Sequence, residues 1–258
     1  ARAAACLGDL RGNHLPVVFP TDLRPESEEQ AYAVQAALHR WQSDNGFGAI
    51  AGYKIGCTTK VMQKILQIDS PAFGGVLEGQ VFRHRANLPF ADYQKPGIEC
   101  EIAMRIGTDL PPEGAPYNQE TVTGAIAACM PAIELVDNRY GDFLSAGAPV
   151  MIADDFFQAA CIVGAEVTDW RNLDLAAVEG RTFFNGKLTG GGIGSEVLGH
   201  PLQAIVWLIN RLAGMGRGLK AGEIVMTGSL TAVQWIEAAP AELVISIDGL
   251  GDVCLSLE

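Results

Sequence analysis

Apolar and polar positions change period several times along the chain, and each change marks a predicted element. Ser27-Glu28-Glu29-Gln30 has capping-box spacing, and Ala31, Val34, Leu38 and Trp41 then recur at helical intervals, which predicts an amphipathic helix over 27–42. The first fifty residues therefore read as a small helical cap. Ser43-Asp44-Asn45-Gly46 ends the helix, the apolar Ile50-Ala51-Gly52-Tyr53 follows, and Thr58-Thr59 offers an N-cap for a helix through Leu66. Lys54 is expected at a strand end or in a strand-to-helix loop. From Ile98 to Ile106, apolar Ile98, Cys100, Ile102, Met104 and Ile106 alternate with Glu99, Glu101, Ala103 and Arg105, the period-2 pattern of a strand with one apolar face. A helix over 119–130, stopped by Pro131, and a short strand over 132–137 come next.

Further strands are predicted at 160–168 and 181–188, with Asn185-Gly186 as a hairpin turn signal. His200-Pro201 opens the longest apolar helical pattern, Leu202, Ile205, Val206, Ile209 and Leu212, which Gly214 or Gly216 ends. Strands return at 223–227, 242–248 and 253–257. Strands in runs, interrupted by single helices without regular β-α alternation, predict an α+β class with a helical cap at 1–50 and a second unit over 51–258.

Composition narrows the function. A chain of 258 residues with 48% hydrophobic and 19% charged positions suits a compact domain with a real core. Its 18 basic and 30 acidic residues leave a net charge of −12, so no broad basic surface is available for nucleic acid. Six scattered cysteines without a C-x-x-C read as reduced, mostly buried thiols of a cytoplasmic protein. No apolar run reaches the roughly 18 residues of a membrane span, and Asp9 and Arg11 interrupt the start too early for a signal peptide.

Glu99-Cys100-Glu101 is the most informative local feature. On a strand these carboxylates project side by side, and two like charges that close need a cation or a proton between them. A hard divalent ion with oxygen ligands is one solution, and an ordinary solvated acidic strand face is the other. Glu134, between Ile133 and Leu135, is a carboxylate in a stretch apolar enough to be buried, so it needs a partner. Asp137 has the opposite strand parity and is expected to bond Arg139 or a turn amide. Lys54, in Gly52-Tyr53-Lys54-Ile55-Gly56, is either a counter-charge for an anionic substrate or a lysine snorkelling to water. Gly190-Gly191-Gly192-Ile193-Gly194 lacks a phosphate-loop pattern and reads as a hairpin exit or a lid. The four histidines are isolated, and neither zinc-peptidase nor serine-hydrolase motifs occur.

Five ordered segments resemble a known family: Gly52-Tyr53-Lys54-Ile55-Gly56-Cys57-Thr58, residues 97–103, residues 132–139, residues 197–208 and residues 221–230. Together they are similar to the 2-keto-4-pentenoate hydratase and 4-oxalocrotonate decarboxylase branch of the fumarylacetoacetate hydrolase superfamily. The resemblance implies a mostly β, fumarylacetoacetase-like mixed β-roll and a Mg²⁺ or Mn²⁺ ion on Glu99, Glu101 and Glu134. It implies substrate binding by Lys54, Asp155 and Ser229, with Lys54 and Glu78 as proton-transfer groups. It further implies 2-oxo acid or 2-hydroxydienoic acid substrates, chelated through the C1 carboxylate and C2 oxygen, and a homo-oligomer that can associate with a pathway enzyme. Hydration of a dienoate leads; decarboxylation of a 2-oxo-3-enedioate, acylpyruvate hydrolysis and a non-catalytic partner subunit are the alternatives. The lack of an H-x-x-E pair counts against hydrolysis. Two departures fall where relatives carry an acidic pair before Met, here Glu78-Gly79-Gln80, and Ala-Asp-Asn before small residues, here Ala153-Asp154-Asp155-Phe156-Phe157.

Overall fold

The computed structural model describes residues 1–258. In chain order its elements are α1 (Arg2–Gly12), α2 (Glu28–Asp44), β1 (Ile50–Gly56), α3 (Lys60–Leu66), β2 (Ala72–Leu77), β3 (Val81–Arg83) and β4 (Arg85–Leu88). Then follow β5 (Pro96–Ile106), α4 (Gln119–Ala125), β6 (Ile126–Asp137), α5 (Phe143–Ala146), α6 (Ala148–Ala153) and β7 (Gln158–Val163). The rest comprises β8 (Glu179–Phe184), β9 (Lys187–Ile193), α7 (Pro201–Ala213), β10 (Ile224–Ser229), β11 (Gln234–Trp235), β12 (Ala241–Ile247) and β13 (Gly251–Leu257).

Two sheets form the molecule. The larger runs β2-β1-β10-β5-β6-β7-β3, with β11 added to β5, and the smaller runs β4-β13-β12-β8-β9. Helix and strand are nearly balanced at 32% and 34%, and strands in runs rather than alternating units make the class α+β, as the pattern predicts. Most helix boundaries follow the local signals: Ser27 Oγ accepts from Gln30 N to start α2, and Thr59 does the same for Met62 at α3. His200 is a cap, its Nδ1 accepting from Leu202 N at the start of α7. The Asn185-Gly186 turn joins β8 to β9, so Gly190-Gly191-Gly192-Ile193 lies inside a strand rather than forming a lid.

The strand expected over 160–168 ends at Val163, and a larger departure from the sequence pattern falls before it. The helix expected over 119–130 ends at Ala125, and Ile126 begins a twelve-residue strand that runs through Pro131. Buried on both faces in mid-sheet, that strand is a continuous apolar run, which periodicity cannot tell from a helix. Pro131 lies just past the point where β7 ends, where its carbonyl still accepts from Gly164 N and only the one N–H bond of that pair is given up. The same burial removes the one-sided character expected of β5, whose residues are buried on both faces.

The N-terminal helices are not peripheral. Ala4, Leu7, Ala31 and Leu38 belong to the same continuous core as Ile102, Ile133 and Leu255 of the sheets. Gly52 allows β1 to lie against parallel β10, since a Cβ there would overlap the Ile224 carbonyl oxygen.

Candidate metal centre and active-site cavity

Antiparallel pairing of β5 with β6 sets Glu99 directly opposite Glu134, and Glu101 follows two residues along on the same face. Glu101 and Glu134 are fully buried, and Glu99 is partly open to the cavity beside them. One carboxylate oxygen from each lies within 4.8 Å of the others. Lys54 reaches the cluster from β1, well inside the strand rather than at its end, with its Nζ 2.9 Å from Glu134 Oε1 and only 3% of the residue exposed. Neither a solvated acidic face nor a snorkelling lysine describes this arrangement.

The electrostatics follow from four charges in a confined space. Burial, then repulsion from Glu134, pushes the Glu99 carboxyl up to about 7 against the pull of Lys54. Burial and the two neighbouring carboxylates raise Glu101 well above the carboxylate range, although Gly228 N donates to its Oε2 at 2.8 Å. For Lys54, burial acts to lower the pKa, but Glu134, Glu99 and Glu101 together outweigh it and raise it above the usual lysine value. The cluster has three acids for one ammonium. Glu101 Oε1 has no hydrogen-bond partner, and neither Glu134 oxygen receives a well-directed hydrogen bond, the Lys54 contact being an ion pair. Buried, acceptor-only oxygens converging with an excess of negative charge fit a hard divalent cation.

The cluster opens into a cavity of about 640 Å³ whose wall includes Lys54, Glu99, Thr58, Phe156, Phe157 and Ser229. Ser229 pairs with Glu101 across β10 and β5, and its Oγ donates to Thr231 O at 2.9 Å. The Cys57 thiol also lines the cavity, but burial pushes its pKa up to about 12, which leaves it protonated and weakly nucleophilic at neutral pH.

Two of the site residues implied by the sequence lie elsewhere. Glu78 is exposed, accepts from Ala49 N at 3.0 Å, and borders a separate surface hollow with Arg83, Arg217 and Glu223. Asp155 faces away from the cavity: its oxygens take Arg11 Nη1 at 2.9 Å, His39 Nε2 at 2.6 Å and Gly75 N at 2.8 Å. Its neighbour Asp154 is held by Arg139 Nη2 at 2.8 Å and the Tyr140 hydroxyl at 2.9 Å, so Arg139 pairs there and Asp137 instead accepts from Lys95 N. Assigning Asp155 to substrate binding is thus corrected, because its hydrogen-bonding capacity is spent on structural partners. These partners belong to α1, α2 and β2, remote in sequence, and no local motif announces them.

That buried knot has a consequence for the cavity. Asp155, Phe156 and Phe157 have φ values of +56°, +54° and +69°, left-handed backbone that bulky residues rarely adopt and that costs about 1–3 kcal/mol at each position. Anchoring the two aspartates holds the strained turn and turns the Phe156 ring toward Lys54, whose Nζ is 5.9 Å from the ring centroid.

The fumarylacetoacetate (FAA) hydrolase C-terminal family model matches residues 69–257, most of the chain and all of the two sheets except β1. The chain belongs to this family. It is 34% identical over 235 residues to a 2-hydroxyhexa-2,4-dienoate hydratase of Comamonas testosteroni, covering 90% of this chain and 87% of that protein. A 2-keto-4-pentenoate hydratase of Paraburkholderia phymatum is 32% identical over 97% of this chain and 94% of its own length. Among solved structures, 4-oxalocrotonate decarboxylase from Pseudomonas putida G7, complexed with magnesium and adipate, superposes with a TM-score of 0.90 at 26% identity, covering 100% of this chain and 96% of that one.

Proposed function

We propose that this family member is a metal-dependent hydro-lyase that adds water to a 2-hydroxy-2,4-dienoate, giving a 4-hydroxy-2-oxo acid. The observation that carries the reading is the convergence of Glu99, Glu101 and Glu134, with oxygens lacking partners, beside a charged lysine in an otherwise largely apolar cavity. Its closeness over nearly the whole chain to proteins named as dienoate and pentenoate hydratases supports it.

Glu99, Glu101 and Glu134 would hold Mg²⁺ or Mn²⁺, the ions suited to an all-carboxylate site with positions left open. When bound, such an ion supplies Lewis acidity toward the oxygens of a 2-oxo acid. The chain's own groups do the rest. Lys54 presents an ammonium next to Glu134, where it neutralises the substrate carboxylate and relays the proton between the enol oxygen and C5 in ketonisation. Water then adds at C4 and a proton at C3, so the product carries the elements of one water more than the substrate. Phe156 closes the side of the site next to Lys54 against bulk water. Lys54 is the proton-transfer candidate within the cavity; Glu78 stands outside it.

Decarboxylation of a 2-oxo-3-enedioate is the second reading, favoured by the close superposition on the decarboxylase. An NMR product assay of the Mn²⁺-loaded protein separates the two. Hydration of 2-hydroxypenta-2,4-dienoate is expected; release of CO₂ from 4-oxalocrotonate with the dienoate left untouched replaces the hydratase by the decarboxylase. The same reading takes the protein as a cytoplasmic homo-oligomer able to associate with a pathway enzyme, and light scattering of the purified chain tests the self-association.

A further inference from the structure

The register of β5 and β6 continues past the carboxylates. Two residues beyond the Glu99–Glu134 pair, on the same face, Gly97 is opposite Val136, and Trp235 of β11 pairs with Gly97 from the other side. Two strand residues span about 7 Å, close to the distance from C1 of an extended 2-oxo acid to its sixth or seventh carbon. Gly97 leaves this row open for an aromatic ring: a Cβ there would come within 2.7 Å of Trp235 Cε3 and 2.9 Å of Val233 Cγ2. Val136, Val233 and Trp235 all line the cavity, joined by Phe143 and Phe157, whose rings pack edge to face at 5.6 Å.

Charge in the cavity is as telling as shape. Lys54 is its one cationic wall residue, and it is engaged by Glu134; the other charged wall residues are Glu99 and Glu196. The Lys95 ammonium stands over the Trp235 ring, 5.3 Å from its centroid, and does not line the cavity. The acidic Asp154-Asp155 pair faces its own arginines, so it neither attracts nor repels a ligand in the cavity.

We propose that Val136, Phe143, Phe157, Val233 and Trp235 form a subsite for an uncharged alkyl or aryl tail beyond C5, and that it discriminates against substrates with a distal carboxylate. This rests on the 2-oxo acid reading of the carboxylate cluster and deepens it by naming the tail. Extending the tail removes apolar surface from water on both partners, whereas a distal carboxylate loses its hydration without gaining a counter-charge.

Calorimetry on the Mn²⁺-loaded protein tests the subsite without turnover, using 2-oxopropanoate, 2-oxopentanoate, 2-oxohexanoate, 2-oxooctanoate and 2-oxohexanedioate. The dissociation constant should fall about fourfold per methylene added beyond C5, and the dioate should bind at least about tenfold more weakly than 2-oxohexanoate. Phe157→Ala should flatten the dependence on tail length, and Val233→Arg should narrow or reverse the discrimination against the dioate. A flat series, an absence of binding, or a dioate as tight as the monoacid overturns the proposal. Rising affinity in a protein that hydrates no dienoate keeps the subsite and rejects the hydratase; hydration with a flat series does the reverse.

Discussion

Glu101 accepts one hydrogen bond, from Gly228 N, and its other oxygen has no partner. Because burial and two neighbouring acids already disfavour its charge, Glu101→Gln should leave the metal-free protein as stable as the parent. Mn²⁺ affinity, measured by calorimetry, should nonetheless drop by more than the about 10–100-fold typical of losing a hydrogen bond behind a ligand; undiminished affinity would remove Glu101 from the site. Lys54 behaves differently. Its 2.9 Å pair with buried Glu134 ties Lys54 to stability as well as to catalysis. Lys54→Met should lower turnover about 10²–10⁴-fold and lower the melting temperature of the metal-free protein, with saturating Mn²⁺ restoring much of the loss. A variant equally stable with and without metal contradicts this charge balance.

At the scale of elements, the knot around Asp154 and Asp155 fastens α1 and α2 to the turn that follows α6. Burial would raise the Asp155 pKa, but the charge and hydrogen bond of His39, with Arg11 and Gly75 N, bring it down to about 2 from an ordinary 3.8. A depressed carboxyl pKa contributes stability that is complete above pH 4 and is lost as pH falls through about 2. The contribution is about 2 kcal/mol. Asp155→Asn should therefore be less stable than the parent near neutrality, and the gap in urea midpoint should narrow between pH 4 and pH 2. A constant gap across that range rules out the ionic role. The same pairing keeps Phe156 and Phe157 in their left-handed turn, so the N-terminal helices shape the cavity without touching it.

For the whole molecule, the carboxylate cluster is a deficit that ligation relieves, because it joins several strands of the larger sheet and is formed only on folding. Mn²⁺ at one hundred times its dissociation constant should stabilise the native state by about 2.7 kcal/mol, a rise of about 5–10 °C in melting temperature for a chain of this size. EDTA should reverse the shift, and an unchanged melting curve argues against a resident ion. Much of this molecule is written locally: the capping signals at Ser27, Thr59 and His200, the Asn185-Gly186 hairpin, and the two-residue spacing that puts Glu99 and Glu101 on one face. Those features depend on neighbours within a few residues, so one chain suffices to read them. The tertiary structure decided the rest. It converted residues 126–130 from helix to strand because burial on both faces erases periodicity, and it set Glu134 opposite Glu99 through a register no local pattern specifies. It also withdrew Asp155 and Glu78 from the cavity, since the partners that hold Asp155 come from residues as far away as Arg11, and only folding brings them within hydrogen-bond reach.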